Sequence, residues 1–460
     1  MDPIKPQPFK LRHVVAMPWP GRGHINPMMN LCKRLVRRDP NLHVTYVVTE
    51  EWLGFIGSDR KPDQIHFSTL PNLIPSELVR ANDFFSFVDA VQNKLEEPFE
   101  RLLHRLTSPP PTVIIADINV RWAVRVATRM NIPVACLWTS SATILSLFLH
   151  SDMLTSHGHF PTEHQPPASK EDEIIDYIPG LSPTRLRELP EIFHGYVYQS
   201  YSKFKPCYDE ISKAHCLLFP SAYELEPKAI GFFTSKFRFP VYSTGPLIPF
   251  EELGEAGDPE YIRWLDEQPE RSVLYISQGS FLSTSEAQME EIVGGVRDSR
   301  VRFFWVARGL ESRFKEAGEG GSFGVVVSWC DQLRVLCHAA VGGFWTHCGY
   351  NSTLEGMYSG VAMLTFPLVW DQFLNAKMIV EVWRIGMRME RTKSSRTELL
   401  IRRDEIKELV ERFMDGESEE VKEMRRRACD LSEICRGAVA KNGSSDVNVD
   451  AFIEDMTKMV

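Results

Sequence analysis

The chain has 460 residues and a net charge of −9, with 43% apolar and 25% charged residues. That length is too great for one core and sets an expectation of two domains, in a composition ordinary for a water-soluble globular protein. The basic residues are interleaved with acidic ones, which argues against nucleic acid as the main partner, because phosphate-backbone binding needs a basic face.

The N-terminal run MDPIKPQPFKLRHVV carries prolines and charges where an export signal needs an apolar core, and no apolar run reaches membrane-spanning length. The nine cysteines are scattered with no C-x-x-C pair, and Cys136, Cys216 and Cys337 sit in apolar surroundings. A reduced, cytoplasmic setting without a membrane span is therefore expected.

Residues 13–17 read as a buried strand that ends at Pro18-Trp19-Pro20-Gly21, and 26–37 have helical apolar spacing. Strands follow over 44–49, 112–116 and 134–137, with a helix near 121–130. Apolar runs without alternation predict parallel strands covered on both faces by helices. Residues 155–195 read as loops with short helices, and GPLIPFEELGEAGD, from Gly245, as a linker. Beyond it the alternation restarts: strands over 272–277, 302–307, 325–328, 339–346, 362–366 and 386–390, a helix over 285–297, and charged surface helices over 404–436. The expected domains are 1–245, a linker 246–260, 261–437, and a terminal helix 438–460 returning to the first domain.

Several constellations fall where doubly wound sheets bind ligands, at the carboxyl ends of strands. Pro20-Gly21-Arg22-Gly23-His24-Ile25-Asn26-Pro27 follows the first strand. With Pro27 in the first helical turn, His24 stands just before the helix as a candidate general base, or as a residue that only bonds loop backbone. Asp117 ends the strand Val113-Ile114-Ile115-Ala116, where it can steady an imidazolium or cap the next helix. Ser277-Gln278-Gly279-Ser280 suits a phosphate or a plain turn. His347, Asn351, Ser352 and Glu355 lie where a strand turns into a helix; Ser352 and Glu355 also fit a capping box, while free N–H groups there suit a diphosphate. Asp371 and Gln372 suit sugar hydroxyls, although Asp371 fits an N-cap. Trp329 can stack on a base or fill space. The spacings of Cys330, Cys337, His338, His347 and Cys348 match no zinc pattern, so no metal is expected.

In order, spacing and length, the 44 residues WCDQLRVLCHAAVGGFWTHCGYNSTLEGMYSGVAMLTFPLVWDQ resemble the signature box of plant family 1 UDP-glycosyltransferases, and G-H-x-N-P and I-I-A-D resemble that family's catalytic segments. The resemblance covers essentially the whole chain. It implies an α/β GT-B fold of two facing Rossmann-like domains and an inverting enzyme that transfers a hexose, most readily glucose, from a UDP-sugar to a small apolar acceptor such as a phenolic, flavonoid or hormone. It implies further that Trp329 stacks on uracil, Gln332 and Glu355 hold the ribose, and Ser280, His347, Asn351 and Ser352 bind the diphosphate. Asp371, Gln372 and Thr139 would hold the sugar, with Gln372 favouring glucose over galactose, and His24 would deprotonate the acceptor while Asp117 balances its charge. Tyr350 stands beside the sugar where the family usually has Trp, and Gln278 where an aromatic is commoner. UDP-glucose is a co-substrate, no cofactor is implied, and a monomer is the expected state. Phe84, Phe85, Phe87, Trp122 and Trp138 are candidates for the acceptor pocket. The alternatives are a non-catalytic binder of UDP-sugar or metabolite, and a nicotinamide-dependent oxidoreductase, against which the incomplete glycine fingerprint speaks.

Overall fold

The apolar β-branched runs build a first sheet from β1 (Arg12–Met17), β2 (Leu42–Thr49), β3 (Ile65–Leu70), β4 (Val113–Asp117) and β5 (Val134–Leu137). β6 (Ile174–Ile175) and β7 (Thr184–Arg185) form a separate antiparallel ribbon, and β8 (Cys216–Phe219) and β9 (Val241–Ser243) complete the sheet. Its order is β3-β2-β1-β4-β5-β8-β9, parallel throughout. A second parallel sheet contains β10 (Val273–Ser277), β11 (Arg302–Val306), β12 (Gly324–Val327), β13 (Val341–Thr346), β14 (Met363–Thr365) and β15 (Gly386–Arg388). Its order is β12-β11-β10-β13-β14-β15. These descriptions come from a computed structural model covering residues 12–80, 83–159, 172–190, 193, 198–254, 257, 259–279, 284–307, 323–389 and 400–458.

Successive strand residues point to opposite faces, and both faces are covered. Val15 and Ile114 pack under the helices Phe84–Lys94, Glu96–Arg105 and Arg121–Arg129. Val14, Ala16 and Ile115 pack under the helix Arg22–Arg38 and the terminal helix Ser444–Lys458, which contributes Val449, Phe452 and Met456. This double burial is why the strands lack alternation. The connection after β9 is pinned to both sheets' helices. Asn30 donates to the Leu247 carbonyl at 3.0 Å, Lys33 meets Glu252 at 2.5 Å, and Phe250 stacks on Tyr358 with ring centroids 5.6 Å apart.

One expectation is corrected. The helix starts at Arg22, not after His24, so His24 lies in its first turn and Pro27 lies inside it. The Gly21 carbonyl accepts from the His24 and Ile25 N–H groups at 3.0 and 2.9 Å, which closes the first turn early.

Strand order reverses between β1 and β4 in the first sheet and between β10 and β13 in the second. Crevices at such reversals are where open α/β sheets bind ligands. The carboxyl edges of the two sheets face each other, since Asn351 donates to the Gly23 carbonyl at 3.0 Å and Ser140 to Asp371 at 2.6 Å.

Phe452 is wholly buried, with its ring centroid 5.7 Å from that of Tyr242. Phe452→Ala should therefore destabilise the protein by about 3–5 kcal/mol, read from urea unfolding. An unchanged midpoint would show that the terminal helix is not part of this core.

Candidate active site

His24 and Asp117 meet at the first reversal. Asp117 is 1% exposed and its Oδ2 lies 2.7 Å from His24 Nδ1. Its Oδ1 accepts the Asn119 N–H at 2.9 Å, and the following helix is capped by Val120, so Asp117 is not an N-cap. The Thr139 hydroxyl lies 2.8 Å from the same Nδ1. With Nδ1–H engaged by the carboxylate, the bond pattern assigns the free lone pair to Nε2, the arrangement a general base needs. The Pro20–Gly21 turn before His24 is held by Arg80, whose Nη1 donates to the Pro20 carbonyl at 2.9 Å. A Cβ on Gly21 would sit 2.6 Å from that nitrogen, so a larger residue there would have to displace the Arg80 guanidinium.

An aromatic wall stands beside His24. The Trp19 ring lies 6.4 Å from the imidazole, 5.8 Å from Phe87 and 5.9 Å from Phe204. Phe84 stacks near Phe87 and Phe204 and meets Trp370, from the second domain, at 4.9 Å. Of the sequence candidates, Phe84 and Phe87 belong to this wall and Phe85 is exposed. Trp122 and Trp138 are core residues whose indole N–H groups donate to the carbonyls of Val91 and Ser141. Trp19 and Phe204 were missed, although Trp19 sits in the Pro-Trp-Pro break after β1, which marked it for attention.

The second reversal carries the other candidates. β10 and β13 are in register at Ser277 and Thr346, and after His347 and Cys348 the chain enters the helix Tyr350–Ser359. His347 Nε2 fits between Gly279 and Gly349: added Cβ atoms would lie 2.7 and 2.5 Å from it, and Gly279 has φ +81°. Burial lowers the His347 pKa to about 4, so the ring is neutral at pH 7 and donates through one N–H. Ser280 lies outside the described residues.

The capping-box reading of Ser352 and Glu355 is corrected. The N-cap is Gly349, without a side-chain bond, because the helix starts three residues too early for that motif. Instead, Gln332 Nε2 donates to Ser352 Oγ at 3.0 Å and to Glu355, while Tyr275 donates to Gln332 Oε1 at 2.9 Å. Burial pushes the Glu355 carboxyl up to about 7. Trp329, just beyond β12, is 63% exposed, unusual for an indole unless something covers it.

Asp371 Oδ2 accepts from Ser140, across the cleft, and from Asn375 at 3.0 Å; its side chain caps no helix. Gln372 Oε1 accepts the Leu368 and Val369 N–H groups at 2.8 and 3.1 Å, which leaves its Nε2 to donate. Tyr350 departs from the sequence reading: its side chain turns into the core and donates to Glu226 at 2.6 Å. Gln278 Nε2, Asn351 Oδ1 and Asn375 Oδ1 are buried without a partner. Such orphans are rare in a finished interior and mark places completed by something else.

Known proteins resemble this chain over most of its length. The family described as UDP-glucoronosyl and UDP-glucosyl transferase matches over residues 252–410. UDP-glycosyltransferase 87A1 of Arabidopsis thaliana is 74% identical over 96% of this chain and 100% of its own. The chain belongs to the plant family 1 UDP-glycosyltransferases. Another member, UDP-glycosyltransferase 87A2 of the same plant, is 71% identical, over 99% of both chains. Among solved structures, Phytolacca americana UGT2 complexed with UDP-2fluoro-glucose and pterostilbene matches with TM-score 0.82 and 25% identity, over 97% of this chain and 100% of that one. Medicago truncatula UGT71G1 complexed with UDP-glucose matches with TM-score 0.80 and 25% identity, over 97% and 99%. The glycosyltransferase thus has the GT-B fold and transfers a sugar from a UDP-sugar. Among its described residues, no helix is long and apolar enough to cross a membrane.

Glu355 gives a stability prediction for this glycosyltransferase. Its folded pKa lies above its unfolded value, so the buried carboxylate costs stability increasingly as pH rises from 4.5 to 7, and constantly above. Glu355→Gln removes that cost. Its melting temperature relative to wild type should climb through this window and then level off; a difference independent of pH would refute the assignment.

Proposed function

We propose that the enzyme transfers glucose from UDP-glucose to a hydroxyl, or carboxyl, of a small, largely apolar acceptor such as a plant phenolic, flavonoid or hormone, with inversion. The observation that carries this reading is the His24–Asp117 pair, 2.7 Å apart at the one reversal, facing the helix N-terminus at the other. His24 Nε2 takes the acceptor proton. The freed oxygen forms its bond to the anomeric carbon as the bond to UDP breaks on the opposite face. Asp117 stabilises the imidazolium. Negative charge gathers on the departing diphosphate, where the N–H groups opening the helix Tyr350–Ser359 and the neutral His347 can receive it. Asn351 and Ser352 complete that seat.

Trp329 serves as the uracil platform, and its exposure leaves an indole face for stacking. Gln332 and Glu355 hold the ribose, Glu355 as the acceptor of its hydroxyls. Asp371 and the free amide of Gln372 hold the sugar, with Thr139 reaching both sugar and base. Tyr350 enters this site through its backbone alone. The aromatic wall around Trp19 and Phe84 supports an apolar, ring-bearing acceptor, as the pterostilbene bound by the Phytolacca americana enzyme does. The scheme calls for no metal, and one chain supplies every group it uses, in keeping with a monomer. Nine free thiols favour a reducing, cytoplasmic setting.

His24→Ala should lower transfer at least about a thousandfold, in line with loss of a general base. UDP affinity by calorimetry should stay unchanged. Transfer near the wild-type rate would refute this mechanism. Mass spectrometry of a plant metabolite extract incubated with enzyme and UDP-glucose identifies the acceptor.

A further inference from the structure

Tyr350 is the first residue of the helix Tyr350–Ser359, yet its ring is 4% exposed and its hydroxyl lies 2.6 Å from Glu226 Oε2. Glu226 belongs to the first domain, at the start of the helix Pro227–Lys236, and is itself buried. Its other partners all come from one turn. Oε2 accepts the Ala142 N–H at 3.1 Å, and Oε1 accepts the Thr143 N–H at 3.0 Å and the Thr143 hydroxyl at 2.9 Å. These groups open the helix Ala142–Leu149, where unsatisfied N–H groups and the helix dipole both favour an anion. A buried carboxylate keeps its charge only if donors surround it. Here three donors come from that turn and one from the opposite domain.

The residues just before that turn are the ones that touch both halves of the cleft. Thr139 contacts His24 Nδ1 at 2.8 Å, Ser140 donates to Asp371 at 2.6 Å, and Ser141 caps the helix through the Ile144 N–H at 3.2 Å. The Trp138 indole closes the loop on the Ser141 carbonyl at 2.8 Å. Hydrogen bonds therefore join the first residue of the donor-side helix to Glu226 and Glu226 to the start of the helix Ala142–Leu149, and the backbone carries the connection on into residues 139–141.

We propose that Glu226 and Tyr350 are a positioning pair: they transmit the seating of the donor-side helix to residues 139–141, so that an occupied donor site sets the orientation of His24. The proposal rests on the roles given above to His24 and Asp371. Neither side chain touches substrate. Their effect is on the rate at which bound donor reacts, not on how tightly the nucleotide is held.

Tyr350→Phe removes the hydroxyl and keeps the ring, so the fold and the helix N-terminus are retained. The expected result is a fall in kcat of about tenfold, with the UDP dissociation constant within about twofold of wild type, since the nucleotide contacts are untouched. Combined with Ser140→Ala, the losses in kcat should be less than multiplicative, because both substitutions cut one path. Hydrogen exchange supplies a readout that needs no turnover, so it separates this coupling from the glucosyl-transfer reading itself. In the wild type, UDP alone should slow exchange both at 350–359 and at 139–145. In Tyr350→Phe it should slow exchange at 350–359 only, and Glu226→Gln should behave alike. Equal protection of 139–145 in the variant, a wild-type kcat, or strictly multiplicative losses would each overturn the proposal.

Discussion

Pro27 has no N–H, so the Gly23 carbonyl, one turn earlier, lacks the helical partner it would otherwise have. Asn351 takes that place from the other domain at 3.0 Å. A side-chain amide thus replaces a missing backbone bond, and in doing so ties the crevice after β1 to the helix after β13. The rest of the cleft is arranged around this tie. Ser140 meets Asp371, Phe84 meets Trp370, and the buried Glu188 pairs with Lys377 and Arg388 at 3.2 Å each. Every one of these contacts joins the first domain to the second, so His24 and the residues across the cleft hold fixed places relative to each other.

The two halves differ in their titratable groups. The first places the Asp117 carboxyl 2.7 Å behind the His24 imidazole. In the second, burial works against charge: His347 falls to about 4, Glu355 rises to about 7, and Asp371 is raised from its ordinary value. In a protein of net charge −9 this matters, because a nucleotide diphosphate is itself anionic. In the proposed site, backbone N–H groups and carboxyls whose charge burial disfavours would meet it with less repulsion than fully ionised carboxylates. Hydrogen bonds from Ser140 and Asn375 partly offset the burial of Asp371.

Much of this was legible in the sequence, for a reason rooted in the parallel sheet. Strands buried on both faces are unbroken apolar runs, their carboxyl ends are marked by the first polar residue, and ligands bind there; His24, Asp117, His347 and Asp371 could all be placed on that logic. Short or half-exposed strands escaped it. β9 has three residues, β8 is a four-residue apolar run that periodicity cannot tell from helix, and β3 is an edge strand with polar residues inside it. The capping box at Ser352 failed because a local pattern predicts a local bond, whereas Gln332, twenty residues away, captured both side chains. Tyr350 failed for the same reason over a longer span: its direction is set by Glu226, 124 residues earlier. Ser140 was passed over because a serine has no signature until Asp371 is placed opposite it.

Two non-glycine residues adopt left-handed backbone at this site, Cys348 at φ 66° and Trp370 at φ 53°. Each costs on the order of 1–3 kcal/mol and persists only where neighbours over-determine it. Both stand just before a helix whose N-terminus must face the cleft, and the left-handed residue makes the reversal that aims it there. Asn375 is the neighbour common to both turns: its amide donates to the Cys348 carbonyl and to Asp371 Oδ2, each at 3.0 Å. One buried amide thereby holds the turn before the helix Tyr350–Ser359 and the turn before Gln372 in a single relation, so the strain at each is retained by the other. The spacing between the two turns is then a property of one side chain's reach rather than of two independent loops.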